Sequence, residues 1–231
     1  MQELRFFNPY AEIRQTQNRL PHWQQMGAVY FVTFRLGGSL PKEIVMQLKG
    51  AQAKNETLLI DVKDEGERKQ KVFQQRKKYF AKFDEYLDKA SNGPRWMQDD
   101  RIAKIVAEAI HFRDGKDYEL LVYCIMPNHV HMVFTVERFA ESLASVRDSV
   151  SHYIVTDIIG SLKKHTALEA NKVLQRSGAF WQHESYDHVV RTEKELGNII
   201  YYVLNNPVSA HLVSDWKKWK WSYCKYESHL A

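Results

Sequence analysis

Apolar residues recur along this chain with two periods, and the changes from one to the other mark its elements. AVYFVTFRL (28–36) is dense in β-branched and aromatic side chains and is bounded by Gly27 and the Gly37-Gly38 pair, which predicts a strand. A long helical stretch follows, with Phe73, Phe80, Phe83 and Leu87 on one face among lysines and glutamates, and SNGP (91–94) breaks it. DDRIAKIVAEAI (99–110) restarts a helix, with Ile102, Ile105, Val106, Ala109 and Ile110 at helical spacing and Asp99 or Asp100 as its cap. YELLVYCIMP (118–127) and HVHMVFTV (129–136) read as two strands joined by a tight turn at Pro127 and Asn128. FAESLASVRDSVSHYIVTDIIGSL (139–162) reads as a helix and FWQHESYDHVVR (180–191) as a strand. TEKELGNIIYYVLNNP (192–207) reads as a helix that opens on the capping pair Thr192 and Glu195 and closes at Asn206-Pro207. This order predicts an α+β fold, a largely antiparallel central sheet with helices packed on it. The whole chain, 1–231, reads as one domain with a helical elaboration at about 41–113 and a basic aromatic tail at about 209–231. The charged run 54–71 belongs to that elaboration and marks no boundary.

Composition narrows the class of protein. With 26% charged and 13% aromatic residues, the 231-residue chain has the make-up of a globular protein with a sizeable core. No apolar run approaches the roughly 18–20 residues that span a bilayer, and the first residues carry no apolar leader. Cys124 and Cys224 lie far apart in no metal spacing, as reduced thiols do. The expectation is a cytoplasmic protein with no membrane partner. A net charge of +5 leans toward an anionic partner, although many basic proteins bind no nucleic acid.

The chemistry begins at His129 and His131. Residues two apart on a strand share a face, so both imidazoles project together, about 6–7 Å apart along the backbone, at the start of a strand. Val130, Met132 and Phe134 point the other way, into core. Two such rings can converge on one cation, or they can be two half-buried histidines satisfied by hydrogen bonds. A catalytic metal also needs a third ligand.

The helix GNIIYYVLNNPV (197–208) offers two pairs at i,i+4, Tyr201 with Asn205 and Tyr202 with Asn206. Its apolar stripe of Leu196, Ile199, Ile200 and Val203 decides between them. At about 100° per residue Tyr202 and Asn206 lie beside the stripe, and Tyr201 and Asn205 lie on the solvated side. Tyr202 and Asn206 are therefore better placed to meet groups on the sheet.

MPNHVH (126–131), FWQHESYDHVVRTEKEL (180–196) and YYVLNNPVSAHLV (201–213), together with PHWQQMGAVYFVTFRL (21–36), closely resemble the REP-associated tyrosine transposases, single-tyrosine members of the HUH endonuclease superfamily. The resemblance covers most of the chain. It implies a ferredoxin-like HUH nuclease core, with the paired metal-ligating histidines on His129 and His131, the nucleophile on Tyr202 and a third polar metal ligand on Asn206. It implies a divalent cation, Mg2+ or Mn2+. It implies strand cleavage and transfer through a 5′-phosphotyrosine on single-stranded DNA or on imperfect palindromes folded into hairpins. The long insertion from Lys42 to about Gly93 departs from the shorter members and leaves monomer or homodimer open. Two other classes share these residues: a phosphodiesterase that uses metal and water, and a DNA-binding protein that has lost catalysis.

Contacts to DNA have candidates in Arg191 and in the tail DWKKWKWSYCKY (215–226), where Lys217, Lys218 and Lys220 alternate with Trp216, Trp219 and Trp221. Aromatics that stack on bases beside cations that meet phosphates suit single strands. The same tryptophans could instead dock the tail on the core, and Arg191 could pair with Glu193 or Glu195.

Overall fold

The computed structural model describes residues 4–8, 14–17, 21–25, 27–59, 64–89, 93–136 and 154–226. The chain divides into two compact units, Met1–Gly37 with Trp96–Ala231, and Gly38–Arg95.

The first unit holds a five-stranded antiparallel sheet in the order β6-β3-β5-β4-β7. Its strands are β3 (Val29–Arg35), β4 (Glu119–Ile125), β5 (His129–Thr135), β6 (Tyr186–Val189) and β7 (Ser222–Cys224). A separate hairpin pairs β1 (Arg14–Gln17) with β2 (Pro21–Gln24). The α+β plan is as expected. The three central strands lie where the β-branched runs placed them. Neither the hairpin nor β7 was expected, and the long strand expected at 180–191 shortens to β6, with only an isolated bridge from Trp181 to Leu36 before it.

Alternation along these strands builds two different faces. Tyr30, Val32 and Phe34 of β3, and Val130, Met132 and Phe134 of β5, enter one apolar cluster with Ile102, Val106 and Ile110 of α3 (Asp100–Arg113) and Ile158, Ile159 and Leu162 of α4 (Ile154–Val173). Asp99 caps α3, its carboxylate accepting the Arg101 N–H at 2.9 Å. The part of the predicted helix at 139–153 lies outside the described residues, and α4 continues past the predicted end at 162.

The other face carries Phe31, Thr33, Arg35, His129 and His131, and α5 (Glu193–Ser209) packs there, burying Leu196, Ile200 and Val203. Thr192 caps α5 and accepts the Glu195 N–H at 3.1 Å. The Glu195 carboxylate reaches back to the N–H of Arg191 at 2.9 Å. The helix was expected to close at Pro207 but runs to Ser209 with Pro207 inside it. The last turn tolerates proline because one lost backbone bond there ends nothing else, and the Ala210 N–H still bonds the Asn206 carbonyl at 2.9 Å.

The second unit is a pair of helices, α1 (Lys42–Leu59) and α2 (Glu65–Lys89). The compact helical unit ends at Arg95, because α3 is amphipathic and gives its apolar side to the sheet. Gly93 is required at the neck: a Cβ there would stand 3.1 Å from the Gly38 carbonyl oxygen and 3.2 Å from the Ser39 Cα. Among the described residues no helix is long and apolar enough to cross a membrane.

Candidate active site

His129 and His131 are both fully buried, on the sheet face that meets α5. Their Nε2 atoms face each other at 3.0 Å. Each Nδ1 is engaged by a different partner. Asn128, the turn residue before the strand, sets its amide oxygen 2.7 Å from Nδ1 of His129. Thr33, directly across the ladder on β3, sets its hydroxyl 2.8 Å from Nδ1 of His131. Thr33, Asn128 and Arg35, which stands opposite His129 in register and is buried, were not singled out in the sequence. Thr33 and Arg35 share a strand period with Phe31, a signal that becomes useful only once β3 is known to pair with β5.

Burial pulls the His129 pKa down to about 3, against a hydrogen bond with Asn206 that favours the protonated ring. His131 also falls well below the ordinary imidazole range, through burial first and the neighbouring His129 second. Both rings are therefore neutral at ordinary pH, the form that ligates metals.

Helix α5 carries Tyr202 to the same place. Its ring stands edge-on to His131, with centroids 5.5 Å apart, and edge-on to Phe31 at 6.2 Å. Asn206, one turn on, is 1% exposed and close enough to His129 to favour its protonated ring. Tyr201 is 69% exposed, and Asn205 turns its side chain back to the Tyr201 carbonyl at 3.0 Å. The structure thus brings His129, His131, Tyr202 and Asn206 together and leaves Tyr201 and Asn205 outside.

The donor set fits a divalent cation. Two imidazole nitrogens bound at about 2.1 Å and at right angles on one ion would lie about 3 Å apart. The observed Nε2 separation is 3.0 Å. Two nitrogens and one amide oxygen suit manganese or zinc more than magnesium.

The candidate DNA contacts are more dispersed. The Arg191 guanidinium lies over the Phe7 ring at 4.9 Å. Trp219 donates to the Ile125 carbonyl at 3.0 Å, and the Trp221 carbonyl accepts the Ile125 N–H at 2.9 Å, so these two tryptophans tie the tail to β4. Lys220 bonds the Asp100 carboxylate, which also accepts the Trp221 indole N–H at 3.2 Å. Lys217 and Lys218 are exposed on a short turn, the first near the Trp216 ring and the second 3.5 Å from the Ser214 hydroxyl.

A cleft of about 400 Å3 opens on the opposite face between α4 and residues 178–187. Lys163 crosses its rim and gives hydrogen bonds to Gln182 O, His183 O and the Ser185 hydroxyl at 2.6, 2.8 and 3.2 Å. Burial first, then the nearby Arg35, lowers its pKa to about 8.

No family model matches the chain. Over 106 residues the chain is 27% identical to a Haemophilus influenzae protein named "Putative REP-associated tyrosine transposase", a match that covers 46% of this chain and 58% of that relative. The matched stretch is therefore little more than half of that relative's length. Among solved structures, a REP-associated tyrosine transposase bound to a REP hairpin is similar with a TM-score of 0.48 and 12% identity, over 89% of this chain and 82% of the other. The Haemophilus influenzae relative thus bears the name of the family that the sequence resembles.

Proposed function

We propose that this protein cuts single-stranded or hairpin DNA with Tyr202 as nucleophile and keeps the strand as a 5′-phosphotyrosine until it is transferred or released. One observation carries this reading. A tyrosine ring at half-buried depth stands 5.5 Å from a histidine whose Nε2 converges, at 3.0 Å, on that of a second buried histidine. A phenol beside a cation site is the arrangement that nucleophilic attack on a phosphodiester requires.

His129, His131 and Asn206 would hold a divalent cation, Mg2+ or Mn2+, which when bound supplies positive charge to a non-bridging oxygen of the scissile phosphate. The remaining work belongs to the protein. The Tyr202 oxygen forms a bond to phosphorus as the 3′-oxygen leaves, and the phenolic proton is lost. The phosphoester is conserved, so the free 3′-hydroxyl of another strand can attack the adduct and regenerate Tyr202 without ATP. Phe31 fixes the ring from the sheet side. Arg191, Lys217, Lys218 and Lys220 are the proposed contacts to the DNA backbone, in a monomer or homodimer that acts in the cytoplasm.

Tyr202→Phe keeps the ring and removes the attacking oxygen. It should abolish cleavage and the covalent adduct on a denaturing gel with single-stranded DNA and Mn2+, while the fold survives. Tyr201→Phe should cut as wild type does. Cleavage by Tyr202→Phe that leaves a free 5′-phosphate would make water the nucleophile, and no cleavage by wild type on any single strand or hairpin would leave a DNA-binding protein.

A further inference from the structure

Helix α5 meets the sheet with more than its apolar side. Glu195, Tyr202 and Asn206 are separated by seven and four residues, and at about 100° per residue all three fall within about 40° of one another around the helix. Each of them meets a histidine of the sheet. Asn206 is beside His129. The Tyr202 ring stands 5.5 Å from that of His131. Oε1 of Glu195 stands 3.3 Å from Nε2 of His188. His188 lies on β6, directly across the ladder from Phe31, so it shares the face that carries His129 and His131. Its side chain is 10% exposed and that of Glu195 11%, so water screens the contact little. The other oxygen of the Glu195 carboxylate accepts the Arg191 N–H at 2.9 Å, and the Glu195 N–H donates to the Thr192 hydroxyl at 3.1 Å. Glu195 thus ties the first turn of α5 both to its own entry and to the strand beneath it.

Leu196, Ile200 and Val203 bury the helix, but apolar contact is non-directional and lets a helix roll or slide on a sheet. A polar contact at each end removes that freedom. Asn206 supplies one, four residues past Tyr202, and Glu195 supplies the other, seven residues and about 10 Å before it along the axis. We propose that His188 and Glu195 are positioning residues for Tyr202: their contact fixes the roll and slide of α5, and so the place of the phenol oxygen relative to the histidine pair. The inference rests on the reading of Tyr202 as nucleophile. Glu195 stands too far along the axis to reach the phenol, so it acts through the helix. The leverage is large. The phenol is carried well outside the backbone cylinder, a small roll moves it by about 1 Å, and an error of that size costs an in-line attack about 100-fold. A buried apolar pair would hold the helix down equally well and leave its roll free, which separates this task from simple stability.

The test separates rate from affinity in the full-length chain. His188→Leu removes the polar contact and keeps apolar bulk. At saturating single-stranded DNA and Mn2+ its single-turnover rate of adduct formation should fall about 10–100-fold, with the DNA Kd from fluorescence anisotropy unchanged. His188→Gln, which can still donate to the carboxylate, should recover most of the rate. A second readout needs no chemistry. The rings of Tyr202 and His131 are close enough for a nuclear Overhauser cross-peak in metal-free protein, and His188→Leu should weaken it while His188→Gln keeps it. If the carboxylate left behind unfolds His188→Leu, the double variant His188→Leu with Glu195→Gln removes that charge, keeps the cap and carries the same expectations. A folded variant with undiminished rate and cross-peak overturns the proposal. So does a slower rate with the cross-peak unchanged, since the ring has then not moved, and so does a loss explained by a weaker Kd. A wild-type chain that forms no adduct overturns the nucleophile reading instead, and the cross-peak then decides the task of the pair alone.

Discussion

Below a pH of about 6.5 an unfolded copy of this chain takes up protons on its imidazoles, and the folded copy refuses two of them. Burial holds His129 neutral down to about 3, and burial with the neighbouring His129 pushes His131 well below the ordinary imidazole range. The unfolded state therefore binds more protons throughout that window, so stability must fall as pH falls from 6.5, and the loss is complete only below the folded pKa. Each ring contributes a slope of about 1.4 kcal/mol per pH unit. The urea midpoint of metal-free protein should drop steeply between pH 6.5 and 4, and the double variant His129→Gln with His131→Gln should drop less over the same range. Equal slopes would mean that the folded rings accept protons freely. The pair itself was legible in the sequence, because a period of two puts both rings on one face whatever the rest of the fold does. The choice of Tyr202 over Tyr201 was legible too, since Leu196, Ile200 and Val203 define the buried side of α5 without reference to anything outside it. Thr33 and Arg35 were not, because what they face depends on the register Thr33↔His131 and Arg35↔His129, and the sequence of one strand does not contain the register of a pair.

Elements were legible in proportion to how much of their stability is local. β3, β4 and β5 are long and apolar, and α3 and α5 carry their own caps and stripes, so each reads from its own residues. β7 is three residues long and exists because β4 offers an edge: Cys224 pairs with Val122 and Ser222 with Cys124. Nothing inside WSYCKY requires a strand. This changes what the tail can do. Trp219 and Trp221 hold it on β4, Lys220 pairs with Asp100 and Lys225 with Glu119, so among the described residues of the tail Lys217 and Lys218 are its available cations. Substituting Lys217 and Lys218 with Ala together should lower the magnitude of the salt slope of single-strand binding by about 1.4, at roughly 0.7 per phosphate contact. Lys220→Ala should change the slope by less. Fluorescence anisotropy with an oligonucleotide across a salt series measures both. If Lys220→Ala flattens the slope as strongly as the double variant, the Asp100 pair opens on binding and the lysine is a DNA contact after all.

At the scale of the whole molecule, the division at Gly38 and Arg95 separates architecture from insertion. Every member of the apolar cluster, from Ala28 to Val189, comes from the unit formed by Met1–Gly37 and Trp96–Ala231, and so do all strands of both sheets. His129, His131, Tyr202 and Asn206 lie in it as well. Within the helical unit the entering and leaving chains meet closely, with Gly93 pressed on the backbone of Gly38 and Ser39, so a few residues suffice to join what would be left. Replacing 38–95 with a short Gly-Ser linker should therefore give a chain that stays soluble, unfolds in one cooperative transition and keeps the sheet's circular dichroism. Because the proposed nucleophile and ligands all remain, the shortened chain should still form the Tyr202 adduct with single-stranded DNA and Mn2+. Two outcomes would each correct a different part of the picture. Aggregation, or loss of cooperativity, would mean that the sheet unit does not fold alone and that the apolar cluster is not self-sufficient. A folded, cooperative chain that binds zinc at the histidine pair but forms no adduct would mean that α1 and α2 supply something to the reaction that neither the strand nor the tyrosine helix carries.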